Sequence, residues 1–187
     1  MEDNRKNKRE QSRIINNLFK EEKYSEARTF IFGLMKNNPD DHWLLSRLST
    51  TYYEGGNYQE ALKYVEQALK IAHYCPLVLW DYAGTLDMLE RNDEAIQIYK
   101  RLVRKGASRI AHGACGEGIQ AARSLVNDSR YRLGLIYARK VEFLLAKKYF
   151  KDYITNRHYN YSSIYNLREV KKDLKIILER KDPHRLT

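Results

Sequence analysis

The 187-residue sequence predicts an all-α fold, a solenoid of stacked helix pairs. Three observations carry that prediction. Glu-Ala dipeptides recur every 34 residues, as Glu26-Ala27, Glu60-Ala61 and Glu94-Ala95. Apolar stripes with steps of one, three and four flank each dipeptide, the spacing of one helix face. Helix breakers are scarce, with 3 Pro and 9 Gly against 15 Tyr, so the chain favours helices packed through large side chains.

The elements follow in order. The first helix of each copy carries Ile14, Ile15 and Leu18, then Leu48, Ser49 and Tyr52, then Tyr82, Ala83 and Leu86. The second carries Phe30, Ile31 and Leu34, then Tyr64, Val65 and Ala68, then Ile98, Tyr99 and Leu102. A fourth copy has Leu133, Gly134 and Tyr137, then Ala146, then Tyr149, Phe150 and Tyr153, after an insertion of 17 residues. Beyond it, Ser162-Ser163 reads as an N-cap pair. It opens a capping helix with Ile164, Leu167, Val170, Leu174 and Ile177 on one face and cations between.

The 34-residue period, the small residues and the large–small–Tyr pattern together resemble the tetratricopeptide repeat. The clearest copy runs from Trp43 to Leu69 and contains Leu48-Ser49, Tyr52, Gly55-Gly56-Asn57-Tyr58 and Glu60-Ala61. Two positions depart from the family pattern: Leu45 stands where a tryptophan is usual, and Pro76 closes the second copy late. The resemblance implies one domain over 1–187, with repeats at about 8–41, 42–75, 76–109 and 127–160. An insertion at about 106–126 and a capping helix at about 162–180 complete it. Ala27, Ala61, Ala95 and Ala146 are expected where paired helices approach closely, because a larger side chain would force them apart. One pair cannot bury both its stripes, so neighbours must stack.

Within the insertion, Lys105-Gly106 reads as a helix end, with cations in the last turn and a glycine beyond. A stripe through Ile119, Ala122, Val126, Ser129, Leu133 and Tyr137 predicts a first helix that starts near Gly118. That helix would outreach its neighbours by about ten residues, roughly 15 Å. Gly113 to Gly118 form the loop ahead of it. The loop lacks the Lys-Ser/Thr ending of a phosphate-binding loop and follows no strand. His112, Cys115 and Glu117 offer three metal-ligand types without a fourth nearby. The expectation is tight turns packed on the helices, with no cofactor and no metal.

In the family, first helices line a concave groove and second helices form the convex back. Carried over by register, the groove residues are Ser12, Asn16 and Phe19, then Trp43, Ser46, Thr50 and Tyr53, then Trp80, Gly84, Asp87 and Tyr131. Aromatics in such a row anchor a peptide at low entropy cost. Some members clamp an acidic carboxyl terminus there with cations and asparagines. Here only Asn16 matches, while Ser12, Arg47 and Asp81 hold other places and Asp81 would repel the carboxylate. An extended peptide or partner helix fits the mixed groove better.

Several classes are excluded or set aside. The composition, 43% hydrophobic and 31% charged, is that of a globular chain. No apolar run approaches the roughly 18 residues a membrane span needs. Met1 to Arg13 offers no apolar stretch for a secretory signal. Two cysteines make no disulfide scaffold, so a reducing cytoplasm is the expected compartment. The five histidines fall in different segments, with no nucleophile and carboxylate arranged around any of them, so no enzyme is expected. The formal charge of +10 is local: residues 1–20 carry +3, residues 139–187 carry +7, and 21–138 are neutral. A protein or peptide in the groove is the expected partner. Nucleic acid on the basic C-terminal surface is the alternative, and self-association through the convex face or an end stays open.

Overall fold

The computed structural model describes residues 2–157 and 163–180, and among them are nine helices and no strand. Two compact units divide at Tyr74/Cys75. The first holds α1 (Glu2–Lys20), α2 (Tyr24–Met35), α3 (His42–Glu54) and α4 (Tyr58–Ile71). The second holds α5 (Pro76–Met88), α6 (Asn92–Ala111), α7 (Ile119–Arg139), α8 (Phe143–Thr155) and α9 (Leu167–Glu179).

Several helices start or stop for a local reason. Asp41 caps α3 by accepting from the amides of Trp43 and Leu44, and Asn57 caps α4 by accepting from Glu60. Pro76 opens α5 at a position where its missing N–H costs nothing. One turn recurs four times. Lys23, Asn57, Arg91 and Glu142 donate to the carbonyls of Leu18, Tyr52, Leu86 and Tyr137, the third residue of each first-helix stripe. The residue before each donor, Glu22, Gly56, Glu90 or Val141, has φ between 55° and 76° and donates three residues back. This paired closure needs a left-handed residue, the conformation glycine adopts most cheaply, yet only one copy uses glycine.

The recurring alanines are the point of closest helix pairing: Ala27, Ala61, Ala95 and Ala146 are all fully buried. The partner position on the first helix is small in three copies (Ser49, Ala83 and Gly134). Ser49 Oγ donates to the Ala61 carbonyl at 2.8 Å, joining α3 to α4. A Cβ on Gly134 would lie 2.5 Å from Cδ1 and Cε1 of Phe150, so α7 and α8 pack too closely there for any side chain. In the first unit the core centres on Ile15, Ile31, Leu44 and Leu48. In the second, Leu86, Tyr99, Leu102, Leu133, Ile136, Phe150 and Tyr153 are fully buried.

Gly106 breaks the helical conformation where the sequence expects a helix end, at φ 74°, ψ 158°, and a second helical run follows it to Ala111 within α6. Two local expectations change. The helix α7 has 21 residues against 13 in α5, eight more rather than ten. The cap of α9 is Asn166, whose side chain accepts from Arg168, and not the Ser162-Ser163 pair. Ser162 and residues 158–160 of the fourth repeat lie outside the described residues.

Candidate partner-binding surface

In the first unit the expected groove residues lie on one side of α3. Leu44, Leu45, Leu48, Ser49 and Thr51 are buried, while Trp43, Thr50 and Tyr53 keep part of their surface in solvent. Their steps of seven and three hold them on one face. Trp43 leans on the core around Ile15 and Leu48 and leaves the rest of its indole open. Tyr53 meets Tyr58 edge-on at 5.5 Å, and Thr50 Oγ1 donates to the Ser46 carbonyl at 3.0 Å. Ser46 itself is buried, at 2% exposure, and is a packing residue rather than a contact for a ligand. On α1, Asn16 is exposed and donates to Ser12 Oγ at 3.5 Å, whereas Phe19 packs on the core and against Tyr24.

In the second unit fewer of the expected residues keep surface in solvent. Trp80 is half-buried and meets Tyr99 edge-on at 5.5 Å. Asp87 is not groove-facing. Its side chain is 2% exposed, Arg132 pairs with it at 2.7 Å, and Arg139 pairs with its other oxygen. Two guanidiniums answer the desolvation that burying a lone carboxylate would cost. Tyr131 is also buried. Its hydroxyl donates to Asp173 at 2.6 Å and its ring lies 4.4 Å from that of Tyr165, so the chain's own C-terminal segment covers it. Burial foremost, then the Asp173 carboxylate, pushes the Tyr131 phenol up.

Residues outside the expected set complete these surfaces. Asp128, buried in α7, accepts from Ser163 Oγ at 2.5 Å and from the Ile164 amide at 3.2 Å. Burial raises its carboxyl, opposed by those two donors and the charge of Arg157. In the first unit, Arg28 lies 4.9 Å over Tyr52, which stacks on Tyr64 at 5.4 Å. Arg28 also donates to the Thr51 carbonyl at 3.2 Å. Arg28 and Tyr52 border a cleft of about 400 Å³ lined also by Glu22, Tyr24 and Asn57. On α9, Arg168, Lys171, Lys172 and Lys175 form an exposed basic face, opposite buried Val170 and Ile177. Repeat register marks none of the Arg28, Asp128 and Arg132 contacts, since each partner comes from a different helix or segment.

A model of the tetratricopeptide repeat matches residues 52–115. Residues 52–115 are therefore tetratricopeptide repeat. Among solved structures, BtubC (BKLC) from P. vanneervenii resembles 89% of this chain over 70% of its own, at 15% identity and TM-score 0.69. Two MamA structures are similar as well. One covers 90% of this chain and 79% of its own, at 14% identity and TM-score 0.61. The other covers 89% and 93%, at 19% identity and TM-score 0.58. No curated protein matches the sequence. At such identities these structures share the fold, and with it the chain falls in the all-α tetratricopeptide-repeat solenoid class. Tetratricopeptide-repeat proteins are in general scaffolds that bind other proteins and are not enzymes. Among the described residues of this one, no helix is long and apolar enough to cross a membrane.

Proposed function

We propose that this protein, with its tetratricopeptide repeats, is a non-catalytic adaptor that binds a peptide or a partner helix on α1 and α3 of its first unit. The observation that carries the reading is the row on α3, where Trp43, Thr50 and Tyr53 stay partly open while the opposite side of the same helix is core. Asn16 adds a polar contact on α1, and Trp80 with Gly84 offers a separate patch on α5. Half-exposed aromatics suit this work: they are already ordered by neighbours, so binding loses little entropy, and they bring large apolar area. Asp87, Tyr131 and Ser46 are left to structural roles. The cytoplasm is the proposed compartment, supported by a cysteine count of two, too few for a disulfide scaffold.

The test is alanine substitution at Trp43 and at Trp80, with partner capture from the native cell and helicity followed by circular dichroism. Loss of capture with helicity intact is expected for Trp43→Ala. Unchanged capture by both variants would sink the reading.

A second reading has its own observation, the basic face of α9. Nucleic acid bound there would release counterions, and its affinity would fall steeply as salt rises. No binding of RNA or DNA at low salt would remove it.

A further inference from the structure

The fold brings together the chain's only two cysteines, which stand 40 residues apart in sequence. Their Sγ atoms lie within 4.8 Å of each other. Cys75 is the N-cap residue of α5 and is 5% exposed. Cys115 is half-buried in the glycine loop, in a turn closed by the Gly116 amide on the Gly113 carbonyl at 2.9 Å. A disulfide needs the sulfurs at about 2.05 Å, so less than about 3 Å of movement separates these thiols from a bond. The loop can supply it: Gly113, Gly116 and Gly118 flank Cys115, and Gly118 already has φ 89°.

The geometry points to a reversible Cys75–Cys115 disulfide, a redox modification site that staples the Gly113–Gly118 loop to the start of α5. The order of events follows from access and acidity. Burial, with the neighbouring thiol adding to it against the pull of the Val78 amide, raises Cys75 to about 11. Cys75 is therefore neither reachable nor ionised when an oxidant arrives. Cys115 meets a low-molecular-weight disulfide first. Its thiolate attacks one sulfur, forms a mixed disulfide and expels one thiolate of the oxidant. Cys75 then loses its proton to solvent and attacks Cys115 Sγ. The protein disulfide forms and the second thiolate of the oxidant leaves. Two protein thiols are oxidised and one external disulfide is reduced to two thiols. In a reducing compartment such a bond would be transient, formed when the poise rises and reversed when it falls.

The test uses the full chain, reduced and then held in glutathione buffers from fully reduced to fully oxidised. Residual thiols are alkylated and intact mass is read. The wild-type chain should become two hydrogens lighter, lose both alkylation sites and keep no glutathione, and dithiothreitol should restore both thiols. In Cys75→Ser, a glutathione adduct should persist on Cys115, the intermediate the wild type passes through. In Cys115→Ser, the buried Cys75 should stay unmodified over the same time. Cys75→Ala serves as a second variant should the serine disturb the helix start. The inference is overturned if the wild type keeps both thiols in fully oxidised buffer, retains a stable glutathione adduct, or cross-links into dimers. It is also overturned if Cys115→Ser reacts as fast as Cys75→Ser. None of these outcomes depends on the α3 surface or its ligand.

Discussion

One chemical change should have opposite consequences at two helical glycines. Replacing glycine by alanine inside a helix gains about 1 kcal/mol, because alanine loses less backbone freedom on folding. In α2, a Cβ on Gly33 would meet nothing within 4 Å, so Gly33→Ala should return that gain whole. In α7, a Cβ on Gly134 would stand 2.5 Å from two ring carbons of Phe150. That is at least 1 Å inside the ~3.5–4.0 Å at which carbons attract. Phe150 is fully buried and touches Tyr131, so its ring has no open space to enter. Overpacking of a closed core costs about 1–3 kcal/mol, and a pinned ring belongs near the upper end. Subtracting the helix gain leaves Gly134→Ala about 2 kcal/mol less stable, roughly a thirtyfold fall in the folded-to-unfolded ratio. The two variants should therefore differ by about 3 kcal/mol. Urea unfolding followed by far-ultraviolet circular dichroism measures it, provided the slopes match the wild type. If Gly134→Ala is as stable as Gly33→Ala, the close approach of α7 and α8 at this position is wrong.

Other consequences are as specific. Val141 is a β-branched residue held at φ 62° and 43% exposed, so Val141→Gly should stabilise the chain by about 1 kcal/mol and raise its melting temperature. Gly56→Val at the equivalent turn should lower it by a similar amount. Asp87→Ala strands the largely buried Arg132 and should cost about 3 kcal/mol in denaturant unfolding; a loss under 0.5 kcal/mol would contradict the pairing. Burial raises the Asp128 carboxyl, so the folded chain keeps a proton that the unfolded chain has released. Stability should accordingly fall as pH rises from about 4 through the folded value and level off above it. Asp128→Asn should flatten that slope in unfolding midpoints measured across the window; an unchanged slope would place the titration elsewhere.

What the sequence made legible, and what it did not, divides along the reach of each interaction. The alanines could be read because a helix pair repeats every 34 residues and tolerates only small residues at its closest point. All four are fully buried. The left-handed turn was hidden because only Gly56 advertises it. Glu22, Glu90 and Val141 adopt the same φ under the force of two closing hydrogen bonds, which composition does not display. Gly106 was visible as a breaker, but whether helix resumes beyond it depends on what the following residues pack against. On the surface, repeat register located Trp43, Thr50 and Tyr53 on one partly open face. The same register said nothing of Arg132 and Arg139 reaching Asp87, or of Ser163 to Asp173 covering Asp128 and Tyr131. Those contacts join residues 35 to 52 positions apart in sequence, beyond any local pattern. The meeting of Cys75 with Cys115 is of the same kind.

The claim that α3 presents a ligand-binding face is tested most directly by a titration. Peptides selected from a random display library on the full chain would be labelled and their affinity measured by fluorescence anisotropy, for the wild type and for Trp43→Ala and Tyr53→Ala. Each substitution should weaken binding at least about tenfold, the effect of removing a buried aromatic anchor, with helicity unchanged. Equal affinity for all three chains, or selection of peptides that compete only at the basic face of α9, would contradict it.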